Sequence, residues 1–154
     1  MLPVILHISK FNPDSVTICF FLKRFLNNNS PWLLWGLFIL VLVCIPGDRL
    51  PEVPDLISIF EPDKLIHLFL FLIFTWLMMG GLAKQERYLL TGHKLAFICL
   101  LTGTIFGGGS ELLQHFFIPG RIASIPDFIA NEAGCFAGWG LFLWRRKRLE
   151  KVNQ

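Results

Sequence analysis

The chain has 154 residues, of which 54% are Ala, Val, Ile, Leu, Met, Phe, Trp, Tyr or Cys and only 16% are charged, with 14 Lys and Arg against 11 Asp and Glu for a net charge of +3. A soluble domain carries about 25% charged residues, a disordered chain is far less apolar, and a polyanion binder needs a stronger basic excess. Composition thus excludes a soluble globular domain, a disulfide-stapled secreted module and a nucleic-acid binder, and leaves a small multi-pass membrane protein.

Residues 1–29 hold no stretch long enough to span. The apolar run from Val16 to Leu22 is broken by Lys23 and Arg24, and no small-residue cleavage site follows a charged start. The segment therefore reads as a cytoplasmic or interfacial arm and not as a signal peptide. A spanning helix needs about 20 mostly apolar residues, and four segments qualify as candidates. The first is predicted from Pro31 to about Cys44, with Ser30-Pro31 as its start and Pro46-Gly47 as its stop. A proline-rich loop follows over 46–62, with Leu56, Ile57, Ile59 and Phe60 as a short interfacial patch. The second span runs from Asp63 to Gly80-Gly81, the third from about Lys94 to Phe117, and the fourth from Pro126 to Trp144, which leads straight into Arg145-Arg146-Lys147-Arg148. The predicted fold is an all-α membrane bundle of four transmembrane helices with short loops over residues 30–145, with a basic tail at 146–154.

Charge orients the bundle. Lys10, Lys23, Arg24, Lys84, Arg87, Lys94, Arg145, Arg146, Lys147, Arg148 and Lys151 all fall on one side, and only Arg49, Lys64 and Arg121 on the other. The positive-inside rule places both termini in the cytoplasm. Trp32, Trp35, Trp76, Trp139 and Trp144 fall toward the same basic ends, as an aromatic belt would. The cysteines at 19, 44, 99 and 135 have no CxxC spacing, so neither a disulfide framework nor a thiolate metal site is expected.

Polar groups from three segments converge on the outer face. Asp63, Lys64 and His67 open the second span, Glu111, Gln114 and His115 close the third, Arg121 lies in the connection, and Asp127 and Asn131 open the fourth. Asp63 and His67 share one helical face, and Asp127, Asn131, Gly134 and Gly138 share one stripe. Gly134 with Gly138, and Gly103 with Gly107, form GxxxG pairs that let helix backbones approach. Charged groups inside a span cost roughly 2.5–3.5 kcal/mol at its centre, so those retained there are functional candidates. Each also has a plainer reading: Arg121 paired to Asp127, Glu111 paired to Lys64, His67 as a packing residue. A divalent ion on His67, Glu111 and His115 is one conceivable arrangement, since Glu-x-x-x-His puts two ligands on one helix face. No HExxH or His-rich run supports it, and no metal or cofactor is expected.

Asp63-Lys64-x-x-His67, Glu111-x-x-Gln114 and Pro119-Gly120-Arg121-x-x-Ser124-x-x-Asp127-x-x-x-Asn131-x-x-Gly134 resemble the VanZ-like family of bacterial membrane proteins over about residues 63–138. The family is named for a protein associated with resistance to the glycopeptide teicoplanin. His115 and Glu132 are not part of its pattern. The resemblance implies a bacterial plasma-membrane protein of the cell envelope and no particular reaction. Joined to the charge placement, it leads us to expect binding or processing of an anionic amphiphile: a lipid-linked precursor, a lipid phosphate or an acylated glycopeptide. In that reading Lys64 and Arg121 hold the anion, Glu111, His67 and Asp127 orient it or move protons, and Asp63, Gln114 and Asn131 complete the binding set. The rivals are a non-catalytic scaffold, whose polar cluster only locks helices, and a small transporter. The transporter lacks a polar path beyond the scattered Thr75, Thr102 and Thr104.

Overall fold

The computed structural model describes residues 13–45, 62–85, 92–119 and 122–152. They form four helices: α1 (Pro13–Val43), α2 (Pro62–Ala83), α3 (Gly92–Phe117) and α4 (Ile125–Val152). No strand occurs among the described residues. The loop at 46–61, with its apolar patch, and Arg121 lie outside them.

Three helices are long and apolar enough to cross a membrane, over Phe20–Val43, Asp63–Ala83 and Gly92–Phe117. The surface agrees: Phe20, Phe21, Leu34, Leu37, Phe69, Phe97, Ile105 and Leu112 are all exposed. Apolar exposure on that scale marks a surface made for lipid rather than water. The fourth predicted span is helical but does not reach the same apolarity. Asp127, Asn131 and Glu132 lie near its start, and its charged residues from Arg145 onward continue the helix to Val152. At 1.5 Å per residue, α4 is about 42 Å long, against roughly 30 Å of bilayer hydrocarbon.

The sequence reading of α1 needs correction. Ser30-Pro31 does not start the helix, since α1 runs unbroken from Pro13 through Pro31. Proline removes the N–H that would have bonded the carbonyl four residues back. Ser30 meets the freed Asn27 carbonyl, and Asn29 and Trp32 brace the same turn. Ser30 Oγ donates to the Asn27 carbonyl (3.3 Å), Asn29 Nδ2 donates to Phe25 O (2.9 Å), and Trp32 Nε1 donates to Asn29 Oδ1 (2.7 Å).

Helix α2 is the hub: its most extensive interface is with α4, and it also packs on α1 and α3. The core is aromatic and sulfur-rich, built on Ile39, Val43, Phe71, Phe74, Met78, Met79, Leu95 and Cys99. Phe74 stacks on Phe106 (5.0 Å, 12°), and Trp32 meets Phe74 edge-on (5.9 Å). Trp35 Nε1 donates to the Leu70 carbonyl (2.9 Å), which fixes α1 against α2.

Glycines set the spacing of α4. A Cβ at Gly134 would collide with the Leu68 carbonyl oxygen, and one at Gly138 with that of Leu72. On the α3 side a Cβ at Gly103 would lie 2.5 Å from Cys135 Sγ, and one at Gly107 3.3 Å from Asn131 Cβ. Backbone therefore meets backbone along α2–α4, as small-residue stripes permit. This close approach lets short side chains near the helix start, such as Asp127 and Asn131, reach groups on α2.

At the opposite end, α1, α2 and α4 diverge around a cavity of about 590 Å³ lined by Asn28, Trp76, Gly80, Lys84, Arg145 and Arg146, among others.

Candidate functional site

Three helix ends build the polar site. On α2, Asp63 and His67 stand one turn apart on the same face, with Asp63 in the first turn. On α3, Ser110, Glu111 and Gln114 are buried in the last turns. On α4, Asp127 and Asn131 are buried one turn apart on the stripe that faces α2. Asp63 and Asp127 both sit in first turns, where the helix dipole favours an anion.

His67 is the centre. Its Nδ1 lies 3.0 Å from Asn131 Oδ1. A carboxamide oxygen only accepts, so with the proton on Nδ1 the ring donates to Asn131. Nε2 faces Asp63 Oδ1 at 3.9 Å. Glu111 Oε1 approaches the other ring nitrogen, 3.8 Å from Nδ1.

The start of α4 is tied to α3 by an unusual exchange. Ser124 is the N-cap: its Oγ accepts from Asp127 N (3.3 Å) and its carbonyl from Phe128 N (3.1 Å). In a capping box, the acid three residues on reaches back to the cap residue's N–H. Here Glu111 of α3 takes that role, with Oε2 accepting from Ser124 N (3.2 Å). The Asp127 carboxylate is thereby released from capping and lies beside Asp63 and His67, the three offering ligand atoms all within 4.8 Å of one another. Glu111 Oε1 and Asn131 Nδ2 are both buried in this cluster, where the Asn131 amide acts on the Glu111 carboxylate. One is an acceptor and the other a donor.

Gln114, Lys64 and the two groups outside the family pattern, His115 and Glu132, have surroundings of their own. Gln114 Nε2 is directed at the Val43 carbonyl, a long contact of 3.5 Å that closes the end of α1. His115 is exposed and packs edge-on against Phe116 (5.0 Å), so it stands apart from His67. Lys64 is half-buried beside Asp63 in the first turn of α2. Glu132 points to α3, where Thr104 Oγ1 lies 2.9 Å from its Oε2.

Sequence reasoning missed several participants. The Ser124 N–H is a backbone group and carries no residue-type signal, although the Ser-x-x-Asp spacing marks a cap. Asn29 is fully buried at the far end, against Gly81, where a Cβ would meet its Oδ1 at 2.9 Å. Asn29 lies in the polar run Asn27-Asn28-Asn29-Ser30, and nothing in that run marks it as the buried member.

The VanZ/LLP1 family model matches residues 25–146. The match starts well before the motifs at 63–138 and takes in the spanning part of α1, which carries no motif of its own. Neither the curated proteins nor the solved structures give a match. The chain belongs to the VanZ/LLP1 family.

Proposed function

We propose that this VanZ/LLP1-family membrane protein works in the bacterial plasma membrane on an anionic amphiphile of the cell envelope, captured where α2, α3 and α4 converge. The lipid-linked precursor, lipid phosphate and acylated glycopeptide share the chemistry this site suits: a compact anionic head on an acyl chain. Lys64 and Arg121 hold the head, because a guanidinium offers paired donors to phosphate or carboxylate. His67, Glu111 and Asp127 orient it and exchange protons, and the acyl chain lies against the apolar faces of the helices.

The carrying observation is the gathering of His67, Glu111, Asp127 and Asn131, all buried and drawn from three helices, at one end of the bundle. Polar and ionisable groups retained inside apolar helices are costly and mark functional sites. In this reading α4 is a fourth span. Its polar residues face α2 and α3, and its outward side chains include Ile125, Ile129, Phe136 and Leu143, all exposed. Both termini are cytoplasmic, following the Lys and Arg distribution, and the site opens to the outer leaflet.

The scaffold reading has its own support, since Ser124 N–H to Glu111 ties two helices together. One experiment separates the two. Protection of cells against an acylated glycopeptide, compared with a non-acylated one, is scored for wild type, Arg121→Lys and Asp127→Asn, with melting of each purified protein alongside. A recognition site loses protection while Tm stays within a few degrees. A scaffold keeps protection in Arg121→Lys and loses Tm in Asp127→Asn.

A further inference from the structure

We propose that Asp63, His67 and Asp127 hold a divalent transition-metal ion of the Zn²⁺ or Mn²⁺ class, and that this ion grips the anionic head of the amphiphile. The inference rests on the reading of function above and adds what that reading lacks. Three carboxylates, Asp63, Glu111 and Asp127, gather around one imidazole. On their own they repel the anion the site is proposed to capture. A bound dication turns the same groups into an anion receptor.

Three observations carry the site. Asp63, His67 and Asp127 present donor atoms within 4.8 Å of one another, from the first turns of two helices packed backbone to backbone. Neighbouring ligand atoms on a tetrahedral ion at about 2.1 Å stand roughly 3.4 Å apart. Closing the set draws the three side chains inward around the ion, with Asp63, 51% exposed, at its open edge. The second observation is the imidazole's orientation. Nδ1 is held on Asn131 Oδ1 at 3.0 Å, which turns Nε2 toward the Asp63 oxygen at 3.9 Å; with the proton on Nδ1, the Nε2 lone pair is the one offered to an ion. Metal-bound histidines are held in this way, with the distal N–H donated to a fixed acceptor. The third is Glu111: it is 4% exposed, and its Oε1 faces the ring from behind, 3.8 Å from Nδ1. A carboxylate in that place makes the imidazole a stronger ligand.

One imidazole and two carboxylates suit a borderline or moderately hard ion. Three protein ligands leave positions open for water or for an oxygen of a phosphate or carboxylate head, and the half-exposed Asp63 marks the open side.

The test uses the full chain in detergent, stripped with chelator and titrated with ZnCl₂ by calorimetry while Tm is followed. Wild type is expected to bind one equivalent and to melt higher with Zn²⁺. Asp63→Asn, at a half-exposed position, should fold normally and lose roughly tenfold or more in affinity, as should His67→Gln. Glu132→Gln, outside the trio, should bind as wild type. Absence of stoichiometric binding in wild type, or unchanged affinity in Asp63→Asn, overturns the metal site even where His67→Gln fails to fold. Dodecyl phosphate binding, measured with Zn²⁺ and with chelator, separates the two claims. Binding that needs Zn²⁺ supports both, and equal binding under chelator overturns the metal while the anion site stands. Zn²⁺ binding without dodecyl phosphate binding keeps the metal site and removes the amphiphile.

Discussion

The two ends of the bundle treat polar residues in opposite ways. At the His67 end the groups are short, buried and fixed by other helices: Asn131 is fully buried, Glu111 is reached by a backbone N–H from α4, and Asp127 is capped by Ser124. At the Lys84 end they are long and solvated. Arg145 lies over Trp76 (5.5 Å), Arg148 over Trp144 (4.4 Å), and Arg146 pairs with Glu150 on the same helix (3.2 Å). A side chain held on all sides can discriminate a ligand or move a proton. A cation on a flexible stem at a membrane surface sets orientation and attracts anionic lipid. The contrast separates two kinds of polar surface: side chains locked between helices at the acidic end, and cations on flexible stems around the cavity at the other.

The largest effect should come from the glycine stripe that joins the two ends. Gly134→Leu or Gly138→Leu drives a side chain into α2 backbone, which cannot move aside as a side chain would. Overpacking costs about 1–3 kcal/mol even where neighbours relax, so a Tm loss of roughly 6–12 °C is expected for 3 kcal/mol or more. Gly140→Leu is the control, because a Cβ there meets nothing within 4 Å. Equal melting of Gly138→Leu and Gly140→Leu would break the close-packed stripe on which the His67 end depends.

Glu111→Ala comes next. It removes the acceptor for Ser124 N–H and leaves a buried donor orphaned, for about 1–3 kcal/mol. Glu111→Gln keeps an oxygen there and should recover most of the stability, so melting of the pair separates hydrogen bonding from charge. Trp35→Phe should cost about 1 kcal/mol, the bond to the Leu70 carbonyl, measured the same way. At the other end Arg145→Ala removes an exposed cation–π contact worth about 0.5–1 kcal/mol and should barely change Tm. Its readout is reduced association with vesicles rich in anionic lipid. A larger melting shift for Arg145→Ala than for Glu111→Ala would invert the comparison.

Much of this was legible in the residues. The spans predicted over Asp63–Gly81 and Lys94–Phe117 correspond to α2 and α3 within a few residues, because unbroken apolar runs bounded by loop residues leave little choice of register. The i,i+4 spacings placed Asp63 with His67 and Asp127 with Asn131. The start of α1 was not legible: Pro31 signals a helix start, yet the helix runs through it, with Ser30 Oγ meeting the Asn27 carbonyl that the proline leaves open. Nor could spacing show that Gln114 turns to Val43 and His115 outward, since both lie within one turn of Glu111. The exchange at Ser124 depends on a backbone N–H from one helix meeting a carboxylate from another.

Sidedness is the measurement that decides most. If α4 is a fourth span with its polar residues turned inward, its two ends lie on opposite sides of the membrane and the His67 cluster opens outward. Ala123→Cys and Lys151→Cys, both at exposed positions, are made one at a time with Cys19 and Cys44 replaced by serine, and reacted with an impermeant thiol reagent. The expected result is labelling of position 123 in intact cells and of position 151 only after permeabilisation. Labelling of both in intact cells, or of position 151 alone, would contradict a four-span bundle with its acidic site at the outer face.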